Sequence, residues 1–316
     1  MALLIGIDVG GTNLRLGVVE YNEEASQILP RLVEEKRFHT DFSNVCKTHK
    51  PELAWRVILN TIATAIDSIK VKFPSISAVG IGFPGFIDPR TQTIAQSPNL
   101  PGLSQVDLSS DLGHLVNLPV ITENDALAAA YGEYFARATQ ISSLIYLGLG
   151  TGVGGGVIIN GQPFQGQHGV AMEVGHIAVE VNGRICGCGN RGCMEQYSSA
   201  SGVSISYLES SGQQVEAHEI AKRAYQGDTN AIAAYAVAGK SLAQALAHIV
   251  KVIDIPDVII GGGMSGAWAL MASSFNQQLN DDLIPTLRSQ LNVGISAMGD
   301  QAGIIGAAML TQKKSF

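Results

Sequence analysis

The sequence is poor in charged residues. Only 15% of its 316 residues are Asp, Glu, Lys or Arg, against roughly 25% in an average globular domain. Hydrophobic residues make up 46%, which is enough to bury a large core and excludes a disordered chain. The length favours about two domains. The net charge of −7 predicts no extended nucleic-acid surface, although local anion sites remain compatible with it.

Cysteine is also scarce, and it is unevenly placed. Three of the four cysteines, Cys186, Cys188 and Cys193, fall within eight residues, and Cys46 stands alone. This spacing argues against a disulfide scaffold and predicts a metal site in a reducing compartment. The N-terminus lacks the basic segment of a signal peptide and reaches Asp8 at once, so we expect a cytoplasmic protein.

The longest stretch without a charged residue lies between Arg137 and Glu173. It is long enough for a membrane-spanning helix. Glycines, six of them between Gly148 and Gly156, break it into strand-sized pieces. We therefore expect a buried sheet with a binding loop here, and no membrane segment.

Glycine is abundant, with 36 residues that follow no period of three, which excludes a collagen-like chain. Two glycine clusters join apolar strands in apparent hairpins, residues 3–20 and 144–159. Aligning Thr12 with Thr151 also aligns Gly11 with Gly150, which favours an internal duplication.

Strand and helix patterns alternate along the rest of the chain, which predicts an α/β protein. We place a small first lobe at residues 1–117 and a large lobe at 118–300. The C-terminal helical segment, 301–316, is expected to return to the first lobe.

Both glycine hairpins are candidate phosphate loops. Their backbone N–H groups and the Thr12 hydroxyl can approach a phosphate, while Asp8 can orient hydrated Mg²⁺. Tight hairpins use glycine in any case, so each loop alone is ambiguous. Neither loop is a Walker motif or a dinucleotide fingerprint. A third cluster, Gly261 to Gly263, either leaves backbone bare for an adenosine ring or starts a helix.

Four motifs together resemble the ROK family of sugar kinases and related repressors. They are IGIDVGGTNLRLGVV, LGLGTGVGGGVI, the EVGH of Glu173 to His176, and CGCGNRGCME from Cys186 to Glu195. The resemblance extends over nearly the whole chain. It implies an actin-like ATPase fold with two ribonuclease-H-like lobes around a cleft, a zinc-binding loop, and self-association as a homodimer or homotetramer. It also implies ATP with Mg²⁺, held by Asp8, Gly10, Gly11, Thr12, Asn13, Gly150, Thr151, Gly152, Gly261, Gly262 and Gly263.

The cysteine cluster predicts a zinc site. With His176 it offers three thiolates and one imidazole, a set that suits tetrahedral Zn²⁺. A chance cluster of buried cysteines is the alternative. Four protein ligands leave no open position, so the zinc would be structural. His176 would have its second ring nitrogen free for a sugar hydroxyl.

Asn124 and Asp125 stand where a strand pattern gives way to a helix pattern. Both residue types cap helices, so a structural role is one interpretation. The resemblance implies instead that Asn124 binds the sugar and that Asp125 is the general base. It adds Asn99, Glu173, His176 and Glu195 as sugar ligands, although a turn explains Asn99 and a helix start explains Glu195 equally well. Met172 replaces a glycine that many family members have before this glutamate.

These features predict an ATP-dependent kinase acting on the 6-hydroxyl of a hexose, most simply glucose. An N-acetylhexosamine kinase is the nearest alternative, and a fructokinase is a further one. A sugar-sensing repressor is less consistent with the sequence, because Asp8 already lies in the first strand and leaves no room for a DNA-binding module. A nucleic-acid-binding zinc module would need more basic and aromatic residues near the thiolates. The expected partners are therefore a hexose and ATP, without nucleic acid or membrane.

Overall fold

The computed structural model describes residues 1–22, 29–97, 100–137 and 141–312. The described strands are β1 (Ala2–Val9), β2 (Asn13–Tyr21), β3 (Arg31–His39), β4 (Ile76–Phe83), β5 (Phe86–Ile87), β6 (Ile94–Gln96), β7 (Val120–Asn124), β8 (Leu144–Leu149), β9 (Val153–Ile159), β10 (Gln162–Pro163), β11 (Asp257–Gly261) and β12 (Asn292–Ile295).

The described α-helices are α1 (Phe42–Thr48), α2 (Pro51–Lys70), α3 (Leu108–Val116), α4 (Asp125–Phe135), α5 (Glu195–Ser198), α6 (Ala200–Ser211), α7 (Ala217–Tyr225), α8 (Thr229–Ile253), α9 (Trp268–Asp282), α10 (Pro285–Arg288) and α11 (Gln301–Leu310). Short 3-10 helices cover Val174–His176 and Gly263–Ala267.

Two five-stranded sheets share one strand order. The first runs β3-β2-β1-β4-β7 and the second β10-β9-β8-β11-β12. In the first, β1 pairs antiparallel with β2 and parallel with β4, and β7 is parallel to β4. In the second, β11 is parallel to both of its neighbours. In each sheet the order is third, second, first, fourth and fifth strand, which agrees with the internal duplication that the glycine hairpins indicated.

The apolar runs of the sequence form the centres of these sheets. In β1, Leu4, Ile5 and Ile7 are fully buried, because a central strand covered on both faces needs apolar side chains on both. Helix α2 begins at Pro51, which is favoured in the first turn of a helix, and packs an apolar stripe from Ala54 to Ile69 into the same core.

The contacts divide the chain into two compact units. The first contains residues 1–143, 156–171 and 300–316, and the second contains 144–155 and 172–299. This division differs from the boundary expected between residues 117 and 118. The physical reason is strand pairing: β7 completes the first sheet beside β4, and α4 packs against α11 within the same unit.

One described helix, α8, is long and apolar enough to cross a membrane by length and composition. However, 56% of its most apolar window is buried inside the protein, as in a core helix. The charge-free stretch after Arg137 forms β8, β9 and β10 where the structure describes it.

Candidate functional site

The first glycine turn, residues 10–12, joins β1 to β2. The amide of its first residue donates to the Asn13 carbonyl oxygen at 2.8 Å, and the carbonyls of the other two accept from the amides of Ser43 and Thr40 at 3.2 and 3.0 Å. The Asn13 side chain donates to the Thr12 hydroxyl at 3.1 Å. The turn is thus fixed by backbone contacts from the segment that leads into α1.

A charge pair lies at the base of this turn. Asp8 and Arg15 are directly opposite each other in the β1–β2 ladder, and their side chains form an ion pair at 2.5 Å. Arg15 also contacts Asp300 at 2.7 Å. Burial raises the pKa of Asp8, and the attraction of Arg15 opposes that shift. Arg15 was not among the predicted site residues, although its place opposite Asp8 follows from a hairpin register.

The second glycine turn, residues 150–152, joins β8 to β9. The Gly150 amide donates to the Gly152 carbonyl at 2.9 Å, and the Gly150 carbonyl accepts from the Ala200 amide at 2.9 Å. The Thr151 carbonyl accepts from the Ser201 hydroxyl at 3.0 Å. Each turn has three residues between its two strands, and Thr12 is the last residue of the first turn whereas Thr151 is the middle residue of the second. An alignment on the strand ends is therefore shifted by one residue from the alignment of the two threonines.

Glu195 connects to the end of the second turn. Its Oε2 accepts a hydrogen bond from the Val153 amide at 2.9 Å, and a side chain on Gly152 would overlap this carboxylate. Glu195 is also the first residue of α5, as the helix-start interpretation expected. It therefore occupies a helix start and at the same time fixes the backbone of a candidate phosphate turn.

Asn124 and Asp125 lie at the junction of β7 and α4. Asn124 Oδ1 accepts from the amides of Ala126 and Leu127 at 3.0 and 3.1 Å, so it does cap the helix. Its Nδ2 donates to the Gly85 carbonyl at 3.2 Å. Asp125 accepts from the Ala126 amide at 2.8 Å and is partly exposed. The cap holds both side chains at the carboxyl end of β7.

Glu173, His176 and Glu195 form a polar group within the second unit. His176 Nε2 lies 3.8 Å from Glu173 Oε2. Burial raises the pKa of Glu173, with His176 opposing the shift and Glu195 adding to it. The three residues are thus close enough to influence one another electrostatically.

His176 also belongs to the cysteine cluster. The ligand atoms of His176, Cys186, Cys188 and Cys193 all lie within 4.8 Å of one another. Cys186 Sγ is 3.6 Å from His176 Nδ1, and Cys188 Sγ is 3.7 Å from Cys193 Sγ. A tetrahedral site with bonds of about 2.3 Å has edges of about 3.8 Å, so these distances fit zinc. Burial raises the pKa of Cys193 to about 12, a shift that a bound cation would reverse.

The third glycine cluster has structural uses at two of its three positions. A side chain on Gly261 would meet the ring of Tyr146 at 2.6 Å. Gly262 has a φ of 79° and lies against the Leu149 backbone. Gly263 has no neighbouring atom within 4 Å of its missing side chain and begins a 3-10 helix. A 3-10 helix does start in this cluster, and the approach of an adenosine ring to its backbone stays a prediction.

Met172 adopts a left-handed backbone conformation, with a φ of 65°. Glycine takes such angles freely, whereas a long side chain does so at a cost. Its carbonyl and Cβ lie against Gly155 of β9. Met172, directly before Glu173, thus has a backbone conformation that suits the glycine found there in many family members.

The predicted residues are distributed over both units. The first holds Asp8, Gly10, Gly11, Thr12, Asn13, Asn124 and Asp125, and the second holds Gly150, Thr151, Gly152, Glu173, His176, Glu195, the Gly261 to Gly263 cluster and the four candidate metal ligands. Asn99 lies outside the described residues. Sequence reasoning missed Glu123, a buried carboxylate one residue before Asn124, because a lone acid inside a strand pattern carries no motif.

Comparison with known proteins places these observations in a family. A family model described as the ROK family matches residues 4–314. Glucokinase from Thermotoga maritima is 31% identical, and the match covers 98% of this chain and 98% of that protein. N-acetyl-D-glucosamine kinase from Salmonella newport is also 31% identical, over 96% of this chain and 98% of its own length. The crystal structure of a ROK family glucokinase from Streptomyces griseus, in complex with glucose and AMPPNP, is 30% identical with a TM-score of 0.80, covering 99% of this chain and 100% of that one.

Proposed function

The chain belongs to the ROK family and is an ATP-dependent sugar kinase, and we propose that it transfers the γ-phosphoryl group of ATP to the 6-hydroxyl of glucose. Curated glucokinases at 31–32% identity support glucose as the acceptor. An N-acetylglucosamine kinase at 31% identity makes the N-acetylated sugar the second candidate.

One observation within the first unit carries the assignment of the reacting groups. Asp8 pairs with Gly82 across β1 and β4, and Gly82 pairs with Glu123 across β4 and β7. The first glycine turn and the Asn124–Asp125 junction therefore follow the carboxyl ends of parallel strands in one sheet, which is where ligands bind in α/β sheets. With strands about 4.8 Å apart, the Asp8 and Glu123 backbones are about 10 Å apart.

In this mechanism Asp125 accepts the proton of the sugar's 6-hydroxyl as that oxygen attacks the γ-phosphorus in line. The bond from the γ-phosphorus to the oxygen that bridges it to the β-phosphate breaks, and ADP leaves with that oxygen. General-base catalysis of this kind contributes about 10²- to 10⁴-fold. The Asn124 cap fixes the helix start that carries this base.

The first turn and Asp8 are proposed to receive the phosphates of ATP. The backbone amides of Gly11 and Thr12 and the Thr12 hydroxyl would donate to phosphate oxygens. Magnesium, when bound with ATP, neutralises phosphate charge, and Asp8 would orient its water ligands. The Asp8 carboxylate is partly exposed, and a nearby cation would favour its charged form.

Sugar recognition is assigned to Asn124 in the first unit and to Glu173, His176 and Glu195 in the second. Carboxylates accept hydrogen bonds from ring hydroxyls, and a neutral histidine can donate one or accept one. Asn99 is proposed as a further ligand on the resemblance alone. The same strand order in both sheets supports an actin-like pair of ribonuclease-H-like lobes.

Zinc is proposed at His176, Cys186, Cys188 and Cys193, where it would crosslink the loop and supply no chemistry to the reaction. The donor set and the spacings near 3.7 Å support this assignment. With Nδ1 toward Cys186 and Nε2 toward Glu173, the imidazole would connect the metal to the sugar ligands.

Sugar-dependent ADP production tests the proposal. The enzyme would be assayed with ATP and glucose, N-acetylglucosamine, N-acetylmannosamine, mannose or fructose. Glucose is expected to give the highest kcat/KM. A higher value for N-acetylglucosamine would favour the second candidate, and ADP production that no sugar stimulates would overturn the kinase assignment.

A further inference from the structure

Glu123 is a buried carboxylate beside the proposed base, and the mechanism above does not use it. Its side chain is 3% exposed, in the strand that ends at Asn124. Burying a carboxylate is costly unless its oxygens are hydrogen-bonded. A carboxylate retained at this position therefore requires partners that repay the cost.

The partners of Glu123 connect two segments of the first unit. Oε1 accepts from the Asn124 amide at 2.9 Å, and Oε2 accepts from Gln165 Nε2 at 2.6 Å. Gln165 follows β10 in the chain, and its carbonyl accepts from the Ala171 amide at 3.3 Å. The carboxylate thus links the strand-to-helix junction to the segment 164–171, which is distant in sequence.

The junction has a third connection. Asn124 donates its side-chain amide to the Gly85 carbonyl at 3.2 Å, in the turn between β4 and β5. Two hydrogen bonds on Glu123 and one on Asn124 therefore join residues 84–87, 123–125 and 164–171. The second of these segments contains Asn124 and Asp125, the residues assigned to the sugar hydroxyl and its proton.

We propose that Glu123 is a positioning residue for the sugar half of the reaction. It fixes the backbone of Asn124, and through it the start of α4 that carries Asp125, and it holds Gln165 against this junction. Loss of the Glu123 carboxylate should therefore weaken sugar binding and proton transfer and leave nucleotide binding unchanged. The inference rests on the proposed kinase function.

Two substitutions at Glu123 separate geometry from charge. In Glu123→Gln, the amide oxygen still accepts from the Asn124 amide, and its Nε2 can donate to Gln165 once the Gln165 amide rotates. The negative charge is lost. In Glu123→Ala both acceptors are lost. Gln165→Ala removes one of the two links and is milder. Glu133→Ala is the matched control, because Glu133 is another buried acid, 4% exposed, further along α4.

Steady-state kinetics give the expected result. A displacement of the base costs on the order of 10²-fold in kcat/KM, so we expect such a loss for the sugar in Glu123→Ala with the KM for ATP unchanged. Gln165→Ala should change the same parameters less. Glu123→Gln should stay close to wild type, and the acid limb of its pH profile should not move. Glu133→Ala should lower stability without a selective loss in kcat/KM for the sugar.

Several results would overturn the inference. These are an unchanged kcat/KM for the sugar in both Glu123→Ala and Gln165→Ala, a rise in the KM for ATP as large as the loss for the sugar, or a Glu123→Gln variant as impaired as Glu123→Ala. Amide hydrogen exchange gives a readout without turnover: Glu123→Ala should lose protection at Asn124 and in residues 164–171. If wild type phosphorylated no sugar, the proposed function would fail, while this exchange measurement would still decide whether Glu123 holds the two segments.

Discussion

The two glycine turns share a backbone design and differ in how they obtain charge. In each, carbonyls of the turn accept hydrogen bonds from residues at the start of a helix or just before it, 40–43 for the first turn and 200–201 for the second. The first turn has its own charges, Asp8 and Arg15, at its base. The second has no charged residue from Gly148 to Gly156 and receives a carboxylate from Glu195, 42 residues beyond Val153.

Under the proposed function, this difference gives the two hairpins different roles. A built-in carboxylate suits a cation that accompanies phosphates, whereas an uncharged glycine turn offers only backbone donors to an anion. Because Glu195 is also assigned to the sugar, the second turn is tied to sugar recognition in a way that the first is not. The following changes should affect the turns unequally.

Removing the proposed zinc should have the largest effect, and only on the second turn. Cys193 is fully buried and precedes Glu195 by two residues. Cys193→Ser, or chelation, should release the loop that places Glu195 and abolish turnover. Zinc content by mass spectrometry and amide exchange check this: protection should be lost at residues 150–153 and retained at 10–13.

Cys46→Ser is the control for the loss of a thiol, since Cys46 is buried away from the cluster. It should keep the zinc content and the activity of the wild type. A fully active protein shown to contain no zinc would contradict the structural role.

The same substitution in each turn gives the next largest effect. Gly152→Ala forces Glu195 away and should lower kcat/KM on the order of 10²-fold. Gly11→Ala places its methyl group 3.9 Å from the nearest atom, Ser43 Cβ, so the fold should tolerate it. Thermal unfolding and kinetics distinguish the two variants. A large drop in Tm for Gly11→Ala would contradict the comparison. So would a Gly152→Ala variant with an unchanged Tm and normal kinetics.

Met172→Gly should stabilise the protein modestly, by about 1 kcal/mol, because it relieves a left-handed conformation. Urea unfolding measures the gain. Asn182, with a φ of 57°, is the matched control, since asparagine tolerates this conformation and Asn182→Gly should gain less. An equal gain at both positions would show that the methionine is not the strained residue.

The pH dependence of stability should show the smallest effect, and comparison with Asp8→Asn isolates the contribution of Asp8. Burial raises the pKa of Asp8 above its usual 3.8. Between pH 3.8 and this raised pKa, the folded state therefore holds a proton on Asp8 that the unfolded state has lost. Stability relative to Asp8→Asn is therefore fully present below pH 3.8 and falls as the pH rises through the raised pKa. Urea unfolding without Mg²⁺, from acid to neutral pH, checks the sign, and the opposite trend would contradict it.

The sequence was informative wherever chemistry is local. Hairpin turns, the strand-to-helix junction at Asn124 and the close cysteines each lie within a few residues, so pattern and spacing predicted them. The bonds of Glu195 to Val153 and of Gln165 to Glu123 each span 42 residues and depend on tertiary packing. The boundary expected near residue 118 differs from the division into two compact units for the same reason. Neither the sequence of β7 nor that of β4 indicates that the two strands pair.

The most direct measurement is phosphorus NMR of a reaction containing ATP, Mg²⁺ and glucose, with wild type and Asp125→Asn compared. The account predicts glucose 6-phosphate and ADP in equal amounts. For Asp125→Asn it predicts retained glucose binding and a rate lower by about 10²- to 10⁴-fold. Inorganic phosphate formed independently of the sugar, or an Asp125→Asn rate equal to wild type, would contradict it.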